Sequence, residues 1–548
     1  MVLLHDKSDE VLGPSAVHGG VPIVLTASEM EMSDFNLNLV VSFTGSFPLM
    51  YVPQRFLKRI LYPTNPLNED GTARLAPYGL RKVEALLVKA FGRKNVAVAH
   101  PRNLEMFVGP DTKVVGISTM DPLGDAFVSR TYTSILGLGG KSLNRIEFEK
   151  LVCHPSLKRS NPKIIVGGAG AWQILDMNMQ EALGIDTIVL GQAERTVVEI
   201  FRKALGGEKL KKVVTTEPSR LEDITTICEP ALYGASEITR GCGRNCAFCS
   251  PTMRRLISFP LEHILEEVRL NAKKGTRAIF LQTDDVFLYK KKDHFYPNRE
   301  ALVRLVESVA KVPGVEFIQF PHASFAPVVC DPKLIEMIAP TLVDRGLWRW
   351  NNGRMASFEM GLETGSIRLM RKYMRGKMLP FQPEQWHEVV TQAVGTLDDN
   401  EIAPLATLVI GLPGEKEEDT IQTLELLYKL KRNRIMYAPI LFTSEEESQL
   451  RKQRHMSLRR LTDLQWEVLS TCWRFNFNTW KPQLNPFIAV VSLLAYPYYR
   501  LKHGRGVFRP IMKFSGIEDR LMKRRGDVFL GSNHVPLQSQ ISSAHLAD

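Results

Sequence analysis

Apolar and polar positions alternate along this chain with two periods, and the switching between them outlines the fold. Val21 to Ala27 (VPIVLTA) and Leu37 to Phe43 (LNLVVSF) are apolar runs of strand length, whereas RKVEALLVKAFG repeats its apolar residues at helical spacing. Strand-like runs then recur at KNVAVA, TKVVGIS, PKIIVGGAG and DTIVLGQ, the last leading into the helical pattern TVVEIFRKAL. Strands alternating with helices predict a parallel, doubly wound α/β sheet over residues 1–205.

A polar connector without periodicity, residues 206–232, separates this from a second α/β stretch. There YGASEITRG reads as a short strand and PLEHILEEVRLNAKKG as a helix, with apolar Leu261, Ile264, Leu265, Val268 and Leu270. TRAIFLQTDDVFLY, VEFIQFPHASFAPVV, MASFEMGLETGS and PLATLVIGLPGEKEEDTIQTLELLYKL continue the pattern, which predicts a partial parallel barrel over 233–442. Residues 443–531 read as a basic helical region with an apolar insertion, and 532–548 as a tail.

The hydrophobic fraction of 44% and charged fraction of 24% are those of a folded chain of two or three domains. A net charge of +11 suits an anionic contact such as a membrane surface, an acidic partner or nucleic acid. The seven cysteines suggest no disulfide framework, because Cys153, Cys228, Cys330 and Cys472 are widely separated. With no charged-then-apolar leader and no run of membrane-spanning length, a cytoplasmic setting is expected.

Cys242, Cys246 and Cys249 change the picture. Their C-x3-C-x2-C spacing puts three thiols in one loop between a strand and a helix. Three such thiolates can bind three irons of a 4Fe-4S cluster and leave the fourth open to a small molecule. The alternative is a zinc site completed by Cys228 or His263. With aromatic Phe248 before the third cysteine, this loop resembles the signature of the radical S-adenosylmethionine (radical SAM) superfamily. Downstream, Thr283, Asp284 and Asp285 at a strand end match the place where that family holds the amino group of S-adenosylmethionine, and paired carboxylates suit an ammonium. Glu363 and Ser366 in GLETGS match its ribose or carboxylate contacts, and Ile410, Gly411 and Gly414 its adenine contacts. His322 is a candidate proton donor, or a structural hydrogen-bonding residue.

The first domain resembles the cobalamin-binding Rossmann-like domain that precedes the barrel in one large class of the superfamily. The matching features are the strand end at Ser118 and Thr119, the turn at Gly167 and Gly168, and the G-x-x-E-x-T segment carrying Gly191 and Glu194. No D-x-H-x-x-G motif is present to supply a histidine to cobalt.

The resemblance implies one 4Fe-4S cluster, S-adenosylmethionine and cobalamin as cofactors. It implies reductive cleavage to a 5′-deoxyadenosyl radical and C-methylation of an unactivated carbon, with a lipid or protein as the expected substrate. Radical cyclisation or carbon–carbon coupling, and a non-catalytic metal protein, are the alternatives. Methylthiotransferases of the superfamily carry a second cluster on three N-terminal cysteines, and only Cys153 and Cys228 precede the triplet here. A ferredoxin or flavodoxin is the expected electron donor, and no nucleic acid partner is expected. Finally, NPFIAVVSLLAYPYYRLKHGRGVFRPIMKF combines an apolar core with Arg500, Lys502 and Arg505. That pattern suits either contact with a membrane surface or a helical roof over the barrel.

Overall fold

The structure is a computed structural model that describes residues 19–480 apart from 50–52, 136–139, 252–253 and 351–352. Six parallel strands form the first sheet: β1 (Ile23–Thr26), β2 (Val96–Val98), β3 (Val114–Ser118), β4 (Lys163–Gly167), β5 (Thr187–Leu190) and β6 (Val213–Thr215). Their spatial order is β2-β1-β3-β4-β5-β6. Buried aliphatic residues occupy consecutive strand positions because helices cover both faces. The helix Val197–Leu205 lies on one face through Val197, Ile200, Phe201 and Ala204.

Two sequence expectations change. Leu37–Phe43 is not a strand. Asn38 caps a short helix, Leu39–Ser42, by accepting from the Val41 amide at 3.2 Å, so a local side-chain bond replaces strand pairing. The connector 206–232 contains β6, which pairs along β5, so the sheet extends past residue 205.

The second sheet region curves. Strand β7 (Ser236–Glu237) pairs with β10 (Ala278–Gln282), which pairs with β11 (Phe317–Gln319). The chain then continues as β12 (His322–Ala323), which pairs with β14 (Gly353–Glu363), followed by β15 (Ile402–Ile410) and β16 (Met436–Leu441). All these pairings are parallel, so the wall is a partial barrel. The short hairpin of β8 (Thr239–Arg240) and β9 (Ile257–Ser258) frames the cysteine loop, and β13 (Trp348–Trp350) is an antiparallel flap on β14. The outer helix Leu261–Lys273 buries Ile264, Leu265 and Val268, each worth about 2 kcal/mol.

Burial alternates along β14. Phe358, Met360 and Leu362 are buried beneath the outer helices, and Ser357, Glu359 and Gly361 are half-buried on the inner face. From Ser357 to Leu362 the polar and small residues are thus the less buried ones.

The two sheets are joined tightly. Lys82, on the helix Tyr78–Phe91, reaches Glu267 of the barrel at 2.5 Å, with side chains 5% and 0% exposed. Tyr78 donates to Glu267 at 2.9 Å, and Arg81 donates to the Pro230 carbonyl at 2.9 Å. Their carboxyl-end edges also meet. Glu194, just past β5, accepts from Arg240 at the end of β8, and Thr131, on the helix after β3, accepts from the Leu441 amide at the end of β16.

The described C-terminal region ends in the helix Asp463–Trp480, which packs on β16 and on the helix Glu417–Lys429. The apolar, arginine-rich segment at 485–514 and the expected tail lie outside the described residues. Among the described residues, no helix is long and apolar enough to cross a membrane.

Candidate functional site

The three cysteines sit in the loop between β8 and β9, Cys242 and Cys246 buried and Cys249 half-buried. Gly241 opens the loop at φ +74°, where a Cβ would lie 2.7 and 2.8 Å from the Arg255 and Arg254 carbonyl oxygens. Only glycine fits that approach. The loop is then pinned from three sides. Ala247 donates to the Tyr373 carbonyl at 2.8 Å, the Leu450 amide donates to the Ala247 carbonyl at 3.2 Å, and Ser250 donates to Glu445 at 2.8 Å. Phe248 is half-buried against the barrel core.

Arg244, inside the triplet, is the firmest of these ties. Its guanidinium donates twice to Asp285, at 3.1 and 2.8 Å, and to the Gly376 carbonyl at 3.0 Å, with the Phe295 ring 4.9 Å away. Both members of the Arg244–Asp285 pair are almost fully buried.

Burial pushes the Cys242 thiol up to about 12 and raises Cys246 and Cys249 as well. Such thiols become thiolates when a metal supplies positive charge. Lys377 adds a fixed cation beside Cys246 and Cys249. Burial by itself would lower its pKa, but Glu363 at 2.7 Å and the thiols hold it above the usual range. The three sulfurs influence one another. Yet among the described residues no three His, Cys, Asp or Glu side chains converge on a single-ion position. Three thiols in one loop can hold three irons of a cluster, one thiolate per iron. The proposed fourth zinc ligands stand elsewhere: Cys228 Sγ lies 3.5 Å from Arg93, and His263 Nε2 lies 3.4 Å from Lys82.

Residues from several strand ends face the cysteine loop. Asp284, near His322 and Arg254, has its carboxyl raised by burial. His322 and Glu359 are paired in register across β12 and β14, with Nδ1 3.9 Å from the carboxylate. Glu363 adopts φ +62° at a register shift in β14, which turns its carboxylate toward Lys377.

Some expected contacts are already committed within the fold. Asp285 accepts from Arg244, from Ser324 at 2.6 Å and from the Phe287 amide, so it is a structural anchor and not half of a free carboxylate pair. The Thr283 hydroxyl is shared with Thr239 at 2.5 Å and accepts from the Asp285 amide. Ser366 is fully buried. It caps its helix by accepting from Leu369, and it donates to Asp419. Ile410 is buried, and the Gly411 turn is held by Glu415, which accepts from the Gly411 and Leu412 amides at 2.6 and 3.1 Å. Gly411, Gly414 and Glu415 line a cleft of about 300 Å³ with Gln453, Arg454 and Arg460.

At the first sheet's carboxyl edge, the glycines close turns instead of leaving a cradle. A Cβ at Gly168 (φ +104°) would lie 2.4 Å from the Thr119 carbonyl oxygen, and one at Gly170 would lie 2.2 Å from that of Met120. The turns after β3 and β4 therefore pack directly on each other. Gly167 is aligned with Ser118, and Gly191 is crowded by Thr216. Both Glu194 oxygens are engaged, Oε1 by Arg240 and Oε2 by Ser219 at 2.8 Å. Thr119 donates to Glu31 at 3.3 Å, and Met120 is 71% exposed on the same edge.

Residues 236–427 match the family model described as the Radical SAM superfamily. That stretch carries a radical SAM domain. Such a domain implies a 4Fe-4S cluster and S-adenosylmethionine. Among curated relatives, this chain is 27% identical over 283 residues to tRNA-2-methylthio-N(6)-dimethylallyladenosine synthase of Thermotoga petrophila, covering 50% of this chain and 59% of that protein. It is 24% identical over 324 residues to threonylcarbamoyladenosine tRNA methylthiotransferase MtaB of Aquifex aeolicus, covering 57% and 70%. The chain thus spans under two thirds of the length of the first of these relatives. Its fold is similar to that of the radical S-adenosylmethionine methyltransferase TsrM from Kitasatospora setae, solved with cobalamin and a 4Fe-4S cluster bound. That likeness has a TM-score of 0.50 and 13% identity, and covers 79% of this chain and 74% of TsrM.

Four residues of this site were not singled out from sequence. Arg244 and Lys377 are single cations among 70, and Glu359 and Glu31 belong to unremarkable polar stretches. Arg244 lies between two of the cysteines, and that position was the available clue.

Proposed function

We propose that this protein is a cobalamin-dependent radical SAM enzyme that methylates an unactivated carbon of a lipid or protein. The observation that carries this reading is that the carboxyl-end edges of the two parallel sheets face each other, joined by Arg240–Glu194 and Thr131–Leu441. Ligands of such sheets lie at those edges, so a corrinoid on one and S-adenosylmethionine on the other would flank a common substrate space. The apolar Met120 thioether exposed on the first edge suits a flat macrocycle, as TsrM holds cobalamin within a similar fold.

Within that space the chain's own groups have separate tasks. Cys242, Cys246 and Cys249 would hold the cluster, and Lys377 would offset its negative charge. Asp284 would accept hydrogen bonds from the S-adenosylmethionine ammonium, and Glu363 keeps Lys377 in place. His322 with Glu359 would hold or move a proton at the substrate. When bound, the cluster and S-adenosylmethionine supply hydrogen-atom abstraction, and the corrinoid supplies a methyl group.

Similarity to tRNA methylthiotransferases favours a second reading, sulfur insertion into RNA. Against it, Cys153 is exposed at a helix end while Cys228 lies beside Arg93, so the two thiols preceding the triplet do not assemble a second cluster site. Anaerobic reconstitution with iron, sulfide, methylcobalamin and S-adenosylmethionine tests both. Incubation with lipid, protein and tRNA fractions should yield 5′-deoxyadenosine and a product heavier by one methylene, in lipid or protein. A methylthio product in tRNA would establish the second reading, and no cleavage of S-adenosylmethionine would refute both.

A further inference from the structure

Between β1 and β2 the chain runs from Phe35 to Asn68 without an aspartate or glutamate, and its cations are Arg55, Lys58 and Arg59. This stretch carries the short helix Gln54–Ile60. One side of that helix is committed to the fold. Leu57 is buried in a satellite core with Met30, Phe35, Tyr62 and Leu143, and Lys58 pairs with Glu29 at 2.5 Å.

The other side faces water. Phe56 is 50% exposed and Ile60 44%, and four residues apart on a helix they share a face. Arg55 and Arg59, also four apart, are exposed beside them and have no ion-pair partner among the described residues. Phe43 is 37% exposed on the preceding turn, Phe43–Ser46, and Val41 just before it packs on the same satellite core. Elsewhere among the described residues, exposed apolar side chains such as Met337, Leu379 and Tyr428 stand singly, which is ordinary for a protein surface. Here each exposed apolar residue of the helix has an arginine next to it and no carboxylate near it in sequence. That pattern fits a surface that is anionic outside and apolar beneath, because the arginine stems can lie along the apolar layer while their heads stay at the charged one.

The place of this face in the fold agrees. Thr133 donates to the Ser46 carbonyl at 3.2 Å, the Leu143 amide donates to the Phe47 carbonyl at 3.1 Å, and the Phe47 ring lies 5.3 Å from that of Tyr132. Thr131, on the same helix Phe127–Ile135, accepts from the Leu441 amide at the carboxyl end of β16. The stretch is therefore fixed against the helix that meets the barrel where the two sheet edges come together.

We propose that Phe56 and Ile60, with Phe43, Arg55 and Arg59, form a docking face for an anionic lipid bilayer. The apolar side chains enter the boundary between headgroups and acyl chains, and the two arginines pair with lipid phosphates. Docking is independent of the reaction; that the substrate is then drawn from the bilayer rests on the lipid reading above.

The test is co-sedimentation of the full chain, cluster in place, with vesicles of phosphatidylcholine with or without phosphatidylserine. Wild type should bind the anionic vesicles at low salt. Phe56→Ser with Ile60→Ser should weaken that binding about tenfold. Arg55→Gln with Arg59→Gln should weaken it about fivefold per charge, an effect that fades at high salt. Ile60→Trp should bind more tightly than wild type, since tryptophan favours the interface, and Met337→Ser should bind as wild type does. Circular dichroism verifies that each variant is folded. Equal binding by wild type and the double serine variant, no binding by wild type, or equal binding to uncharged vesicles would each overturn the proposal. A wild-type dimer that the double serine variant converts to a monomer would reassign the face to a contact between two copies. S-adenosylmethionine cleavage without vesicles should be the same in every variant; its absence in wild type would overturn the radical SAM reading and leave the docking result standing.

Discussion

Arg240 Nη1 lies 2.7 Å from Glu194 Oε1, joining the last turn of the first sheet to the strand that delivers Cys242. Glu237 holds the other side of the same guanidinium at 2.8 and 2.7 Å. Glu194 is thus a bolt between the two sheets. Glu194→Ala should lower stability by about 1.5 to 3 kcal/mol, the usual worth of a charge-assisted hydrogen bond, and should increase protease cleavage near residues 217–223. Hydroxocobalamin retention should stay at the wild-type level in Glu194→Gln; a loss there would return Glu194 to the ligand edge.

Replacing Cys242, Cys246 or Cys249 singly with Ala should abolish the cluster and the cleavage of S-adenosylmethionine while leaving the fold intact, because none of these thiols forms a disulfide. Iron and sulfide per chain, with the visible charge-transfer band, measure it. A single mutant that keeps wild-type iron and full cleavage would refute the ligand assignment.

Asp284 and Asp285 are adjacent but should behave oppositely. Asp285→Ala leaves Arg244 buried without its counter-ion, which costs about 3 to 5 kcal/mol, and should appear as a large fall in unfolding temperature even without cofactor. Asp284→Ala should leave stability nearly unchanged and weaken S-adenosylmethionine binding about tenfold, the size of one charge-assisted contact. Calorimetric titration of the reconstituted protein separates the two; equal affinity in wild type and Asp284→Ala would remove Asp284 from the site.

Acid should destabilise the chain through two histidines. Burial lowers His100 and His263 to about 4, with Lys82 adding to the effect on His263. Between pH 6.5 and 4 the unfolded chain binds protons at these rings that the folded chain does not, so stability falls as pH falls through that window and levels off below it. His100→Asn preserves an acceptor for the Arg102 amide and should flatten the profile; adding His263→Gln should flatten it further. Melting temperatures at successive pH values would show it, and an unchanged slope in the double variant would contradict it.

Binding to anionic liposomes should occur at low salt and weaken when Arg500, Lys502 and Arg505 are changed together to Gln, at about 1 kcal/mol per cation near the surface. Co-sedimentation measures this. Failure of the wild type to sediment would favour a protein substrate over a lipid.

Much of the architecture was legible in the chain. The alternation of apolar runs with helical periods gave β1 to β5 and the barrel strands, because buried parallel strands must be apolar on both faces. The exception, Leu37–Phe43, shows the limit of that logic: its apolar run was right for a strand, but Asn38 offered the backbone a local partner. The short β6 was missed for the converse reason. VVT is too brief to carry a period, and its strand identity comes from β5 beside it.

The sequence by itself determined the cysteine triplet, since three thiols within eight residues are brought together by covalent geometry and one glycine turn. It also determined that glycines and hydroxyls would mark the strand ends. Only the tertiary structure decided what those strand-end residues do. Asp285 faces Arg244, Ser366 faces Asp419, Glu194 faces Arg240, and Gly168 faces the Thr119 backbone. A carboxylate, hydroxyl or glycine can serve a ligand or its own fold. The choice is made by partners distant in sequence, because a buried polar group must find a hydrogen bond wherever packing places one.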